Sequence, residues 1–147
     1  MPEPGRTAAA VEAWEALFRL QSTLLRRFEA EDVWGAEGLR GYDVLWTLGR
    51  CPQQRARLGE LSASVLLPQP SLSRLVDRLA QRGLLRREAD PQDGRGVLVV
   101  LTEDGARRQR EIGGRHAAGI ARQLADADPA DLTALTDVCR TLTATLP

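Results

Sequence analysis

The sequence between residues 70 and 101 changes from helical to strand periodicity, and this change limits the possible folds more than any other feature. Four apolar residues recur at helical spacing, which predicts an amphipathic helix over 70–82. The runs 84–88 and 97–101 have strand composition, and turn-forming residues separate them. This order predicts a helix followed by a β-hairpin whose long tip is the stretch 89–96.

A second short helix precedes this one, at 58–65, and the turn 66–69 separates the two. Pro68 disfavours helical angles in the residue before it, so we expect the first helix to end there. Pro70 suits the first turn of the next helix, where its missing N–H costs little. Gly83 is a typical C-terminal stop. Two short helices joined by a tight turn and followed by a hairpin form a winged helix-turn-helix.

The polar face of the predicted 70–82 helix carries groups that can read DNA. Arginine can bind guanine O6 and N7 in a bidentate manner, and serine can reach phosphates or base edges. The hairpin adds Arg95 between two glycines, in a position to enter a narrow minor groove. The alternative for both features is an ordinary solvated surface. The polar residues of the helix face are Ser71, Ser73, Arg74, Asp77, Arg78 and Arg82.

The charge of the chain is unevenly distributed. Its net charge is zero, from twenty basic and twenty acidic residues, and every basic residue is arginine. The absence of lysine has two open explanations, genome base composition and selection for arginine chemistry. Residues 50–100 contain nine arginines against five acidic residues, a net charge of +4 between two acidic flanks. Because a local basic patch matters more than the total, this distribution favours DNA binding by the middle segment.

Long amphipathic helices are predicted on both sides of the middle segment, over 7–31, 103–124 and 129–146. A winged helix-turn-helix of about 60 residues needs little covering, so these apolar faces predict contact with a second copy of the chain. Glycines in the second of these helices weaken its helix propensity. They permit either the close approach of another helix or a kink at Gly113-Gly114.

The run from Pro70 to Gly105 closely resembles the MarR family of bacterial transcriptional regulators. The "LVDRL" helix, the "RGLL-R" exit, the DP-x-D-x-R wing and the "LT-x-x-G" helix start occur together at the family's spacing. The resemblance implies a mainly α fold with a small β-hairpin wing (α+β), in a single domain over 1–147. It implies a winged helix-turn-helix lobe at about 40–101, with dimerisation helices at 7–31 and 103–146.

The function implied by the resemblance is sequence-specific DNA binding. The implied assembly is a triangular homodimer in which the first and last two helices interlock. The implied target is a palindromic operator in double-stranded DNA. The resemblance implies that the protein most often acts as a repressor, which a small ligand or oxidation releases from the operator. A winged-helix protein-interaction module without DNA binding is the alternative, and it predicts partner binding that is insensitive to salt.

The resemblance also assigns DNA contacts by position. In the family, the wing acid orients the wing arginine through a side-chain salt bridge while the arginine enters the minor groove. Asp77 is acidic, so we expect it to pair with a nearby arginine, Arg74 or Arg78, and not with a base. The implied contacts on the recognition helix and at its mouth are Gln69, Ser71, Ser73, Arg74 and Arg78, and those in the wing are Asp93 and Arg95.

The effector is less constrained by the sequence. Trp14, Tyr42 and Trp46 are candidates for a pocket that binds a small aromatic or phenolic molecule, and core packing is the alternative for both tryptophans. Thiol-based redox sensing is a second regulatory hypothesis, with Cys51 as its candidate because arginines flank it. We expect Cys139 to be a small buried hydrophobe.

Other classes of function have little support in the sequence. A single histidine, His116, which we expect to be exposed, and the lack of clustered cysteines argue against a metal site. No nucleophile–base pair, phosphate loop or carboxylate pair is evident, so we expect a non-enzymatic protein without a cofactor. No secretory signal and no apolar run of about 20 residues is present, which predicts a cytoplasmic protein without a membrane partner.

Overall fold

The structure, a computed structural model, describes residues 4–65 and 67–146, so Leu66 of the predicted turn lies outside the described residues. The described chain is mainly helical with a small antiparallel sheet of strand order β1-β3-β2, which confirms the predicted fold class. The strands are β1 (Arg55–Arg57), β2 (Leu85–Asp90) and β3 (Asp93–Leu101). The helices are α1 (Pro4–Ala30), α2 (Gly38–Arg50), α3 (Leu58–Ser64), α4 (Gln69–Gln81), α5 (Glu103–Gln123) and α6 (Pro129–Thr145).

One hydrophobic core joins α2, α3 and α4 to the sheet. The apolar stripe of α4 lies in this core, as its periodicity predicts, and each of its four residues is at most 6% exposed. Burial of this stripe turns the polar face of α4 outward. The buried members of the core are Val44, Leu45, Leu48, Leu61, Val65, Leu72, Leu75, Val76, Leu79, Leu84, Leu85, Val99 and Leu101.

The strand β1 was not predicted from the sequence. It consists of Arg-Ala-Arg and pairs with the end of β3 through Arg55↔Val100 and Arg57↔Leu98. Arginines on both sides of Ala56 give no β-branched or aromatic signal, so composition does not identify this strand. It adds a third strand to the hairpin and places Arg57 beside the wing.

The hairpin is longer than predicted and its tip is shorter. Strands β2 and β3 pair as far as Asp90 and Asp93, so Pro91-Gln92 forms the turn between them. The predicted tip at 89–96 is therefore wrong. The register shifts between Ala89, which pairs with Val97, and Asp90, which pairs with Asp93, so residues 94–96 form a bulge of β3. Arg95 lies in this bulge and not at the tip.

The helices α5 and α6 begin at the expected cap residues. The Thr102 hydroxyl accepts a hydrogen bond from the backbone N–H of Gly105 at 3.0 Å, and Asp128 accepts one from Ala130 at 2.7 Å. Gly105 is buried, and a Cβ there would overlap the carbonyl oxygen of Leu84. The glycine of the "LT-x-x-G" pattern therefore allows α5 to begin directly against the end of the helix-turn-helix.

A smaller core joins the end of α1 to α5. Its buried members are Phe28, Val33, Trp34 and Ile112. A Cβ at Gly119 of α5 would lie 3.4 Å from the Phe28 ring, so this glycine allows the two helices to approach closely. The helix α5 runs without interruption through Gly113-Gly114.

The apolar stripes of α1 and α6 face solvent in the single chain. No residue of α6 is buried, and the N-terminal half of α1 is exposed throughout the part that the structure describes. Exposed apolar surface of this extent is typical of a protein–protein interface. None of the described helices is both long and apolar enough to cross a membrane. The large exposed apolar residues of these two helices and of the residue that follows α6 are Val11, Trp14, Leu17, Phe18, Leu20, Leu135, Val138, Leu142 and Leu146.

Candidate nucleic-acid interface

The outward face of α4 presents two arginines without internal partners. Arg74 and Arg78 are one helical turn apart and both are exposed. Neither forms an ion pair or a hydrogen bond with another residue in the described ranges. A guanidinium group in this state keeps all its donors available for a bound anion or a base edge.

Arg87 of β2 holds α4 from the side, and the sequence reasoning missed it. Its guanidinium donates to the Ser73 carbonyl oxygen at 3.2 Å and hydroxyl at 2.9 Å, and it lies 2.9 Å from Asp77. The Ser73 hydroxyl is therefore already engaged within the protein. Asp77 pairs with an arginine, as expected, but the predicted partners Arg74 and Arg78 are wrong. A partner on a separate strand cannot be found from helical spacing.

The wing lies beside the start of α4. Gln69, Asp93 and Arg95 line one groove of about 430 Å³, so the structure brings together predicted residues from two elements. Asp93 accepts a hydrogen bond from the backbone N–H of Arg95 at 3.1 Å. The expected side-chain salt bridge between them does not form in the described chain, because the bulge presents the Arg95 backbone to Asp93. The Arg95 guanidinium has no partner among the described residues.

An ion pair at the base of the wing fixes its turn. The Asp90 side chain is 3% exposed and accepts hydrogen bonds from the Gln92 backbone N–H at 2.9 Å and from Arg57 Nε at 2.6 Å. The Gln92 N–H, followed by the Arg57 guanidinium, lowers the pKa of Asp90. The Arg57 backbone N–H donates to Glu60 at the start of α3, so this pair joins the wing to the helix-turn-helix.

Each acidic side chain of the basic segment, residues 50–100, has a partner within the helix-turn-helix lobe. Each of them accepts a hydrogen bond or forms an ion pair with a neighbouring residue, whereas the two outward arginines of α4 and the bulge arginine do not. The local positive charge is therefore concentrated on the outer surface of α4 and the wing. The occupied acids are Glu60, Asp77, Glu88, Asp90 and Asp93.

A second groove, of about 390 Å³, lies between α2 and α5. Tyr42, Trp46 and His116 line it together. The structure therefore unites two of the three predicted pocket residues, whereas Trp14 lies apart on α1. Core packing is wrong for both tryptophans in the single chain, since Trp14 is 62% and Trp46 42% exposed. The guanidinium of Arg50 lies over the Trp46 ring, 4.6 Å from its centroid.

His116 is half-buried, so the expectation that it is exposed was wrong. Its ring meets the rings of Phe28, Trp34 and Tyr42 edge-on, with centroid distances of 5.3, 5.6 and 5.5 Å. Burial lowers the pKa of His116, which favours the neutral imidazole. The polar neighbours of His116 in the sequence concealed this cluster, because its other members come from α1, α2 and the turn between them.

Both cysteines are free thiols. Cys51 is half-buried at the C-terminal end of α2, and Cys139 is half-buried on α6, which is less burial than expected. A redox role for Cys51 stays a prediction. Among the residues described, no group of three or more histidine, cysteine and acidic side chains is arranged to hold a metal ion.

Comparison with known proteins relates the chain to one family. A family model described as MarR family matches residues 40–96, which include the helix-turn-helix and most of the wing. The chain is similar to the uncharacterised HTH-type transcriptional regulator YkoM of Bacillus subtilis, with 33% identity over 87 residues. The match covers 59% of this chain and 53% of YkoM, so the chain spans about half the length of this relative.

Solved structures extend the similarity of fold to nearly the whole chain. Sco3205, a MarR family transcriptional regulator from Streptomyces coelicolor in complex with DNA, has a TM-score of 0.74 at 24% identity, over 97% of this chain and 88% of that one. The PcaV transcriptional regulator from the same organism, in complex with its natural ligand, has a TM-score of 0.65 at 28% identity, over 97% and 93%.

Replacement of Asp90 by Asn is expected to lower the urea midpoint of unfolding at neutral pH, because the amide leaves the Arg57 guanidinium without a counter-charge. Since the folded pKa of Asp90 lies below the usual 3.8, its stabilising effect is complete above that value and is lost as the pH falls through the folded pKa. The difference in midpoint between wild type and variant should therefore shrink on acidification from about pH 7 to about pH 3.

The control for this measurement is Asp93→Asn on the same turn. Its amide oxygen can still accept the Arg95 N–H, so we expect a small change in midpoint at either pH. An equal loss of stability in both variants, or a loss in Asp90→Asn that does not depend on pH, would contradict the assigned role of Asp90.

Proposed function

We propose that the chain, whose residues 40–96 match the MarR family model, is a sequence-specific DNA-binding transcriptional regulator of that family that represses from a palindromic operator as a homodimer. The observation that carries the proposal is the position of three arginines that have no internal partner among the described residues. Arg74 and Arg78 lie on the outward face of α4, and Arg95 lies on the adjacent wing. In this arrangement α4 enters the major groove, where arginine can bind guanine in a bidentate manner, and Arg95 reaches the neighbouring minor groove.

The remaining predicted contacts have distinct roles in the proposal. Gln69 and Ser71 lie in the first turn of α4, where free backbone N–H groups and the helix dipole favour phosphate. The Ser73 hydroxyl is held by Arg87, so its contribution is to fix the position of α4. Asp93 supports the wing through the backbone of Arg95.

Removal of one outward arginine should weaken operator binding. Arg74→Ala, Arg78→Ala or Arg95→Ala is expected to cost about 1–3 kcal/mol of binding free energy, since each removes a base or phosphate contact. Any variant that loses a phosphate contact should also show a shallower dependence of log K on log salt, by about one unit. Fluorescence anisotropy measures both quantities, using a palindromic fragment selected from the upstream region of the gene, at two or more salt concentrations.

The matched control is Arg107→Ala. Arg107 is exposed on α5 and pairs with Asp104 in its own helix, so its loss removes the same charge away from the proposed DNA surface. If Arg107→Ala weakens binding as much as Arg95→Ala, the assigned surface is wrong. If the wild-type protein binds no palindromic fragment at low salt, DNA binding fails and the protein-interaction module becomes the favoured function.

The proposed homodimer rests on the exposed apolar faces of α1 and α6. Leu135, Val138 and Leu142 follow one another at helical spacing on α6 and are 43–56% exposed. A two-fold interface would bury these residues against the same surfaces of a second copy. It would also place two copies of α4 on one face of the assembly, as recognition of a palindrome requires.

Charge in the apolar stripe of α6 should dissociate the dimer. Val138→Asp or Leu142→Asp would bury an unpaired carboxylate in the proposed interface, and we expect monomers by light scattering together with loss of operator binding. Thr133→Asp is the control and should remain dimeric, because Thr133 is exposed on the opposite side of α6. A wild-type protein that is monomeric at micromolar concentration would contradict the proposed assembly.

The groove between α2 and α5 is the proposed effector site. Tyr42 and Trp46 supply aromatic surface, and Asp43 supplies a carboxyl group that can accept a hydrogen bond from a phenol. The groove lies between the helix-turn-helix lobe and a dimerisation helix, so an occupant can alter their relative position. The solved complex of PcaV with its natural ligand supports small-molecule binding within this fold.

Phenol and 4-hydroxybenzoate are suitable probes of this groove. Titration of either probe that binds should quench tryptophan fluorescence and weaken operator binding in the wild-type protein, because the probe contacts the Trp46 ring. Trp46→Leu should lose both responses, whereas Trp14→Leu, which removes an exposed tryptophan outside the groove, should retain them. A Trp46→Leu protein that responds as the wild type does would rule out this groove as the effector site.

A further inference from the structure

The glycine-rich segment between α1 and α2 is shaped around one buried carboxylate. Gly35 and Gly38 have φ angles of +59° and +65°, which side-chain-bearing residues rarely adopt. They flank Glu37, whose side chain is 0% exposed. A Cβ at Gly35 would lie 2.8 Å from Arg108 Nη2, and one at Gly41 would lie 3.0 Å from the Cβ of Glu37. The glycines therefore leave the space in which Glu37 meets its partners.

Two arginines from different parts of the chain bind this carboxylate. Arg108 of α5 donates from Nε to Oε1 at 3.0 Å and from Nη2 to Oε2 at 2.9 Å. Arg82, which follows the last residue of α4, places its Nη2 2.7 Å from Oε1. Burial is the largest single influence and would raise the pKa of Glu37, but the hydrogen bonds from Arg108, a backbone hydrogen bond and the charges of Arg108 and Arg82 together lower it. One charged side chain thus joins the recognition helix to α5.

The connection continues along α5. Arg108 and Arg115 both pair with Glu111, at 2.8 and 3.2 Å, and Arg115 Nε donates to the Val33 carbonyl oxygen at 3.1 Å. These contacts fix the face of α5 that points towards the Glu37 segment. The recognition helix is therefore held on a helix whose own rotation is constrained over two turns.

We propose that Glu37 is a positioning residue that sets the angle between α4 and α5 and thereby the spacing of the two half-sites that the dimer accepts. The inference rests on the proposed function as a DNA-binding homodimer. Moving one half-site by a single base pair rotates it by about 35°, since a turn of DNA takes about 10 to 10.5 base pairs. To follow that rotation, α4 must turn relative to α5, and short charge-assisted hydrogen bonds with fixed geometry oppose this movement.

The test compares operators that differ only in spacing. Affinities are measured for the natural operator, for versions with one base pair added or removed between half-sites, and for a single half-site. Glu37→Gln keeps the shape of the side chain and removes its charge. Arg82→Gln removes the arm to α4 alone, at a side chain that is 43% exposed, and leaves Arg108 to pair with Glu37. Arg107→Gln on α5 is the control for Arg82→Gln, because both variants remove one positive charge.

The expected result is a loss of discrimination between spacings. In Glu37→Gln and Arg82→Gln, the ratio of affinities for natural and altered spacing should fall by about 10-fold, or about 1.4 kcal/mol. The affinity for the single half-site should change much less than this ratio. A purely structural role would weaken binding to every fragment equally, and a lost phosphate contact at Arg82 would do the same, so the ratio separates these effects from positioning.

The possible outcomes are distinguishable. A wild-type protein that binds no DNA overturns the proposed function and the inference with it. A wild-type protein that binds, with a spacing ratio unchanged in both variants, overturns the inference alone. The same holds if Arg107→Gln changes the ratio as much as Arg82→Gln does. If Glu37→Gln fails to fold, the ratio measured for Arg82→Gln decides the question.

Discussion

The burial of one side of α4 is the constraint on which the rest of the structure depends. Leu72 and Val76 are fully buried, and each apolar side chain of this size contributes about 1.5–3 kcal/mol when removed from water. Rotation of α4 about its axis would expose these apolar side chains and bury Arg74 and Arg78, and each of these changes would lower the free energy of unfolding. Arg87 adds hydrogen bonds from the neighbouring strand. The orientation of the arginines is thus a consequence of core packing.

The electrostatics of the lobe follow from the same packing. With no net charge on the chain, a basic surface can arise only if positive and negative groups are separated in space. Acidic residues near α4 and the wing are used in internal pairs, such as Asp90 with Arg57 and Asp77 with Arg87. The arginines left unpaired lie on the outer surface. The internal pairs therefore both stabilise the lobe and separate its charge.

The parts of the fold that local patterns encode could be predicted from the sequence. The apolar spacing of α4 and the caps at Thr102 and Asp128 depend on residues within a few positions of one another. The misjudged parts depend on distant residues: the partner of Asp77 lies on β2, and the aromatic neighbours of His116 lie on α1 and α2. The hairpin tip was predicted too long because glycines that form a bulge resemble those that form a turn.

The two halves of the chain differ in what they need from a partner. The helix-turn-helix lobe encloses its own core, whereas α6 has no buried residue within the single chain. For a homodimer, the stability of the outer helices is then linked to association, and so depends on protein concentration. The lobe meets those helices at few places, with Glu37 and the groove beside Tyr42 among them. In the proposed homodimer, a ligand or a mutation at these places would change how the lobes are held while leaving the lobe itself intact.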